Sequence, residues 1–161
     1  MNAPTKDERL QKIVETYRSG GNRWPTTPRR MAEWAISQGL WAPQPDTFIG
    51  KCAEELSHAM RVEYITDPQG RRVRAKHAAR VEEEGEQLVL WDDIRSAPPV
   101  HMEISFAQRR QQVVGDCRQL KNDVDSYNEI ANPGPPIQMI FDFTDDMAEL
   151  EIFAGRLPTM V

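Results

Sequence analysis

The chain has 161 residues and a mass of 18.5 kDa, with 39% hydrophobic and 28% charged residues. This length allows one compact domain, or a small domain with an appended element. The composition is too apolar for a disordered chain, and its four Trp and five Phe can anchor a modest core. No uncharged apolar run reaches the roughly 18 residues of a membrane span, so no membrane partner is expected.

Cys52 and Cys117 are the only cysteines, and neither belongs to a CxxC pattern. Two widely separated cysteines are typical of free thiols in a reducing compartment. The polar residues 1–9 lack the apolar core of a signal peptide. A cytoplasmic location is therefore predicted.

The net charge of −5 is unevenly distributed along the chain. Residues 1–80 carry 14 Lys and Arg against 9 Asp and Glu, whereas residues 81–161 carry 6 against 16. Because a polyanion responds to the local field of a patch, the acidic total does not exclude nucleic acid as a partner. The basic N-terminal half is the place to look for such a patch.

Three helices are predicted in the first 60 residues. The first covers Asp7–Ser19 and ends at Gly20, with apolar residues at helical spacing. Thr27-Pro28 begins the second as N-cap and first-turn proline, and Gly39 ends it. Asp46 caps the third helix. Its apolar stripe is expected to be buried and consists of Ile49, Cys52, Ala53, Leu56 and Met60.

A basic hairpin is predicted after the third helix. Two β-favouring runs, Val62–Thr66 and Arg71–Lys76, flank a turn that contains Pro and Gly. Three helices followed by a hairpin is the element order of a winged helix-turn-helix domain, and residues 7–80 resemble one. The resemblance implies a helix-turn-helix over Thr27–Met60 and a wing over Val62–Arg80.

The remaining elements are predicted from their composition and spacing. Val81–Glu86 is interpreted as an acidic link, and Gln87–Trp91 as a short strand that adds to the wing sheet. A long helix is expected over Met102–Ala131 and a strand over Ile137–Phe143. Thr144–Asp146 caps a short acidic helix that ends near residue 153.

These elements define a mainly α protein with a small β hairpin, of the α+β class. Residues 1–95 are predicted to form the winged helix-turn-helix domain with its basic wing. Residues 96–161 add the long helix and an acidic C-terminal strand and helix, which serve dimerisation or the docking of a protein partner. The acidic half is also placed to compete with DNA for the wing.

The long helix carries an apolar seam with alternating steps of four and three residues. Its members are Phe106, Arg110, Val113, Cys117, Leu120, Val124, Tyr127 and Ala131. Only Arg110 breaks the apolar pattern, which is typical of a coiled coil that joins two copies into a homodimer. An amphipathic helix packed on its own domain gives the same pattern, so both interpretations stay open.

The hairpin is the strongest functional feature. Five cations lie within ten residues, with no acidic residue between Gly70 and Val81. They are Arg71, Arg72, Arg74, Lys76 and Arg80. Alternate cations on a strand share one face and can follow a phosphate backbone. A charged edge that blocks sheet-to-sheet pairing is the other interpretation.

The helices add weaker candidates for contacts with double-stranded DNA. The third helix presents Thr47, Lys51 and His58 beside two glutamates, which disfavours base-specific reading. Arg29 and Arg30 at the start of the second helix are candidates for backbone contacts. Binding dominated by the DNA backbone is therefore predicted, with a protein-interaction adaptor on the same scaffold as the alternative.

No enzymatic activity, cofactor or metal is predicted. The three histidines, His58, His77 and His101, are far apart in sequence and form no zinc-ligand spacing. Motifs for Ser, Cys or Lys nucleophiles and Gly-rich phosphate loops are also missing from the sequence. The end of the predicted strand, Asp142–Thr144, resembles the nucleophile strand of haloacid-dehalogenase-like phosphatases, but the second Asp and the following Gly are missing. The aspartates there are interpreted as a helix N-terminus.

Overall fold

The structure, a computed structural model, describes residues 3–44 and 46–155. These residues form five helices and two antiparallel two-stranded sheets, which confirms the α+β class. The chain divides into two compact units, Met1–Ala59 and Met60–Val161. The predicted domain boundary at residues 95 and 96 stays a prediction.

The first unit contains helices α1 (Lys6–Ser19) and α2 (Pro28–Ser37) and most of α3 (Thr47–Arg61). Thr5 and Glu8 form a capping box at the start of α1, because each side chain accepts a hydrogen bond from the backbone N–H of the other. The predicted Thr27 cap of α2 is confirmed: its hydroxyl accepts from the N–H of Arg30 at 3.3 Å. Local caps of this kind make the helix boundaries predictable.

The core of the first unit lies between α1 and α2 and is centred on Tyr17. This ring is buried and meets the ring of Trp34 edge to face, with centroids 5.2 Å apart. The Tyr17 hydroxyl is 3.2 Å from the Thr26 hydroxyl, so the polar end of the ring is satisfied. Ala35 on α2 is buried in the same unit.

The apolar stripe of α3 is not buried as expected. Ile49 is 82% exposed and Leu56 is 59% exposed, and Cys52 is also on the surface. The expectation was wrong because α1 and α2 form the core of this unit around Tyr17 and Ala35, and the stripe of α3 stays outside it.

The second unit begins with two consecutive hairpins. Strands β1 (Tyr64–Thr66) and β2 (Arg72–Arg74) form the predicted first hairpin, and β3 (Lys76–Glu83) pairs with β4 (Glu86–Asp93). The predicted acidic link over Val81–Glu86 is therefore wrong, because most of it is strand. Only Glu84 and Gly85 form the turn, and both have positive φ, as a tight two-residue hairpin requires.

Ala75 joins the two hairpins. Its N–H donates to the carbonyl of Glu63 at 3.0 Å, and its carbonyl accepts from the N–H of Ile94 at 2.9 Å. The backbone ladder of the first hairpin thus continues into the second, and Ala75 is fully buried. A larger side chain here would have to displace its neighbours.

Helix α4 (Pro99–Ile130) packs on β3 and confirms the predicted long helix, with a start three residues earlier. After it, the predicted strand Ile137–Phe143 is wrong, since this segment is not a strand. The side-chain amide of Asn128 replaces a strand partner: it accepts from the N–H of Ile137 and donates to its carbonyl. Helix α5 (Thr144–Phe153) follows, with the Asp142 carboxylate accepting from the N–H and hydroxyl of Thr144.

Candidate nucleic-acid interface

The register of the first hairpin places two of the predicted cations beside an aromatic ring. Tyr64 on β1 lies opposite Arg74, and Thr66 lies opposite Arg72. The guanidinium of Arg72 lies over the Tyr64 ring, 4.2 Å from its centroid. Because neighbouring positions on the same face of a sheet interact, this contact holds the Arg72 side chain along the strand.

Arg71 belongs to the turn of that hairpin. Its guanidinium Nε donates to the Asp67 carboxylate at 2.7 Å, and its backbone N–H donates to the same carboxylate at 2.8 Å. The backbone hydrogen bond, followed by the guanidinium, holds the pKa of Asp67 below its usual value. The positive charge of Arg71 is thus already neutralised within the hairpin.

Lys76 lies at the junction of the two hairpins and is also paired. Its ammonium is 2.8 Å from the Asp93 carboxylate and 3.4 Å from that of Glu63. The hydrogen bond that Lys76 donates to the Asp93 carboxylate is the main reason that the pKa of Lys76 is raised. Asp93 is bound even more closely by Arg95, and the two cations hold the pKa of Asp93 well below its usual range. Lys76 therefore links Glu63, the residue just before β1, to Asp93 at the end of β4.

Arg72, Arg74 and Arg80 differ from these two paired cations. Within residues 3–44 and 46–155, no acidic side chain lies within ion-pair distance of these three guanidinium groups. The backbone of Arg80 is held by Gln108 on α4, which accepts from its N–H at 2.7 Å and donates to its carbonyl at 2.8 Å. This bond fixes the strand position and leaves the Arg80 side chain exposed.

The structure therefore separates the five hairpin cations into two kinds. Arg71 and Lys76 are paired with carboxylates, and the other three have no such partner within the described ranges. The tip of the second hairpin has the opposite sign, because Glu83, Glu84 and Glu86 line a concave surface there with Leu88. The available positive charge lies on β2 and, through Arg80, near the middle of β3.

His77 is a buried residue that holds the backbone of the hairpin at Arg74. It is 4% exposed, and its ring meets Phe106 edge to face with centroids 5.4 Å apart. Its Nε2 is 2.9 Å from the carbonyl of Arg74, an acceptor, so this nitrogen carries the hydrogen. Nδ1 is buried without a hydrogen-bond partner. Burial, more than the nearby positive charges, lowers the pKa of His77 and keeps the ring neutral.

Arg109 is a component that the sequence analysis missed. Burial is the first cause that lowers its pKa, and the positive charge of Arg74 is the second. The positive charge of Arg74 therefore acts on the Arg109 guanidinium, although 35 positions separate the two residues in the sequence. No pattern in the chain indicates this interaction, because it depends on how α4 packs on β3.

The predicted helix residues lie in the first unit. Arg29 is paired with Glu33 at 3.0 Å, and the Thr47 hydroxyl accepts from the N–H of Gln44 at 3.1 Å. Arg30, Lys51 and His58 are exposed. Their predicted role stays a prediction.

Most of the α4 seam lies away from the sheet, except Phe106, whose ring meets His77 on β3. The helix meets β3 through hydrogen bonds of His101 and Gln108. Ser105, which lies between these two residues in the sequence, is fully buried. At about 100° per residue, the seam is roughly 120° around the helix from that side. Several seam residues are accordingly 44–57% exposed, namely Phe106, Val113, Leu120 and Tyr127, while Cys117 and Val124 are half-buried. The role of the seam in dimerisation stays a prediction.

In the part of the chain that the structure describes, no helix is both long and apolar enough to cross a membrane. Nor does any group of three or more His, Cys, Asp or Glu side chains in that part have a metal-binding arrangement. Comparisons with protein families, curated proteins and solved structures found no match to this chain.

Proposed function

We propose that this protein binds double-stranded DNA through phosphate contacts from the hairpin arginines, with weak sequence specificity. The observation that carries the proposal is the set of three arginines, Arg72, Arg74 and Arg80, that have no carboxylate partner among the described residues. The fold pairs Arg71 and Lys76 with carboxylates. The positive charge of the other three arginines on β2 and β3 stays available to an external anion. Guanidinium groups bind phosphate oxygens with two parallel hydrogen bonds.

The proposed arrangement is a winged helix-turn-helix, with α2 and α3 as the helix pair and the first hairpin as the wing. The element order supports it. Glu54 and Glu55 on the exposed surface of α3 disfavour contact with phosphates, and they leave the hairpin as the main contact. A protein of this kind would act as a transcriptional regulator or as an accessory factor in replication or DNA mobility.

Salt-dependent binding of a fluorescein-labelled duplex, followed by fluorescence anisotropy, tests the proposal. Each lost phosphate contact lowers the slope of log K against log salt by about 0.9, so replacing Arg72, Arg74 and Arg80 by Ala should lower it by about 2.7. A matched variant with Lys6, Arg9 and Lys12 of α1 replaced by Ala removes the same charge elsewhere, and its slope should change much less.

The Arg71→Ala variant is a second control, since Arg71 is paired with Asp67 inside the turn. It should lower the slope by less than one phosphate equivalent. If the triple hairpin variant binds DNA with the affinity and slope of the original chain, the proposal is wrong. The proposal is also wrong if the original chain shows no salt-dependent binding to any duplex.

A protein-interaction adaptor is the second candidate, and one observation favours it. Large apolar side chains are exposed on α3, where Phe48 is 72% exposed and Ile49 is 82% exposed. Exposed apolar surface of this kind commonly marks an interaction site. The acidic C-terminal half is the proposed docking element for such a partner, and the seam of α4 is the proposed surface of a homodimer. This candidate would be favoured if the full chain binds no duplex DNA and forms a stable self-associated species.

A further inference from the structure

Helix α4 brings an arginine from outside the hairpin to the hairpin arginines. Arg109 lies four residues after Ser105, which is fully buried, so the two positions share one side of the helix. Gln108, its neighbour, is bonded to the backbone of Arg80 on β3. The Arg109 side chain therefore starts from the region where α4 meets the sheet.

The strand side of this contact is equally well defined. The carbonyl of Arg74 accepts from the buried His77 ring, and that ring stacks on Phe106, one turn before Arg109 on α4. Arg72 is held over Tyr64, the residue directly opposite Arg74. Packing and hydrogen bonds thus fix the backbone positions of all three arginines.

The side chains of Arg72, Arg74 and Arg109 all carry positive charge. Within the described ranges, no carboxylate lies within ion-pair distance of any of the three. Desolvation of the Arg109 guanidinium, followed by the positive charge of Arg74, disfavours its charged form and lowers its pKa. The repulsion between these like charges is reduced when an anion binds between them.

We propose that Arg72, Arg74 and Arg109 together bind one phosphodiester group of the DNA backbone, so that α4 is part of the interface. This inference rests on the proposed function, because it assigns a ligand to the same surface. Planar guanidinium groups from two elements can approach the two free oxygens of a phosphodiester from different directions. The hairpin alone would offer only contacts along one strand.

Anisotropy with the same labelled duplex tests the inference with single variants. Arg109→Ala should weaken binding about tenfold and lower the salt slope by about 0.9. Arg118→Ala is the matched control, since it removes an exposed arginine from the same helix and should change neither quantity appreciably. Arg109→Lys keeps the positive charge but loses the planar guanidinium that makes two parallel hydrogen bonds. It should therefore retain the salt slope and recover only part of the affinity.

Thermal unfolding of Arg109→Ala separates a binding role from a structural one. Removal of a like charge beside Arg74 should leave the melting temperature unchanged or raise it, whereas a residue that stabilises the fold would lower it. A lower melting temperature would overturn the inference, as would full DNA affinity in Arg109→Ala.

The outcomes also distinguish this inference from the proposed function. If the triple hairpin variant loses binding and Arg109→Ala does not, the inference fails and the proposed function stands. If the original chain binds no duplex, both fail. Displacement of the duplex by inorganic phosphate at constant ionic strength would also overturn the assignment, because the site would then take a free anion and not the DNA backbone.

Discussion

The buried histidine beneath the hairpin should make the stability of the second unit depend on pH. His77 has a lowered pKa in the folded chain because it is buried, next to Arg74, Arg109 and His101. In the unfolded chain its pKa is near 6.5. The unfolded state therefore binds the proton more readily, and stability is complete above pH 6.5 and falls as the pH drops below it.

The size of this pH effect on the free energy of unfolding is set by the single proton that His77 binds in the unfolded chain. Since one proton is involved, the free energy of unfolding falls by at most about 1.4 kcal/mol between about pH 7.5 and about pH 5.5, the range around the ordinary histidine pKa. For a unit of about 100 residues this corresponds to a drop of roughly 5–10 °C in melting temperature. The carboxyl groups with lowered pKa, Asp67, Asp93 and Asp142, lose their contribution only nearer pH 3.8 and below, outside this window.

Urea unfolding followed by circular dichroism across this pH range measures the effect. The variant His77→Gln keeps a hydrogen-bond donor for the Arg74 carbonyl but has no titrating group. It should be less stable at neutral pH by about 1–3 kcal/mol, because the contact with Phe106 is lost, and its stability should vary little with pH. His58→Gln is the control, since that side chain is exposed and its loss should leave the pH dependence in place. An unchanged pH dependence in His77→Gln would refute the reasoning.

Two further predictions concern the second hairpin and the seam. Glu84 has a φ of 50° in the turn before Gly85, and Asn tolerates this conformation better, so Glu84→Asn should stabilise the chain by about 0.5–1 kcal/mol in urea unfolding. A destabilised variant would contradict the two-residue turn. If the exposed seam joins two copies, Leu120→Glu should convert a dimer into a monomer in light scattering, while Glu129→Gln on α4, outside the seam, should not. A monomeric original chain would refute the dimer.

Local features of the chain were predictable from sequence because their causes are local. The capping residues of α2 lie next to the turns that they stabilise, so Thr27-Pro28 marks the start of the helix in sequence. The same is true of the hairpin turn, where Asp67 bonds backbone groups two and four residues on. The predicted strand at residues 137–143 failed for the complementary reason. A strand requires a partner, and here the partner is the side chain of Asn128.

The basic hairpin shows most clearly what the sequence determined and what the tertiary structure decided. The sequence determined that five cations follow one another on β-favouring segments, because composition and alternation are properties of the chain itself. Which of them remain available depends on residues distant in sequence, because Asp93 pairs with Lys76 and the charge of Arg74 acts on Arg109 of α4. Charge pairing acts through space over a few ångströms, so only the packing of α4 and β4 on β3 could decide it.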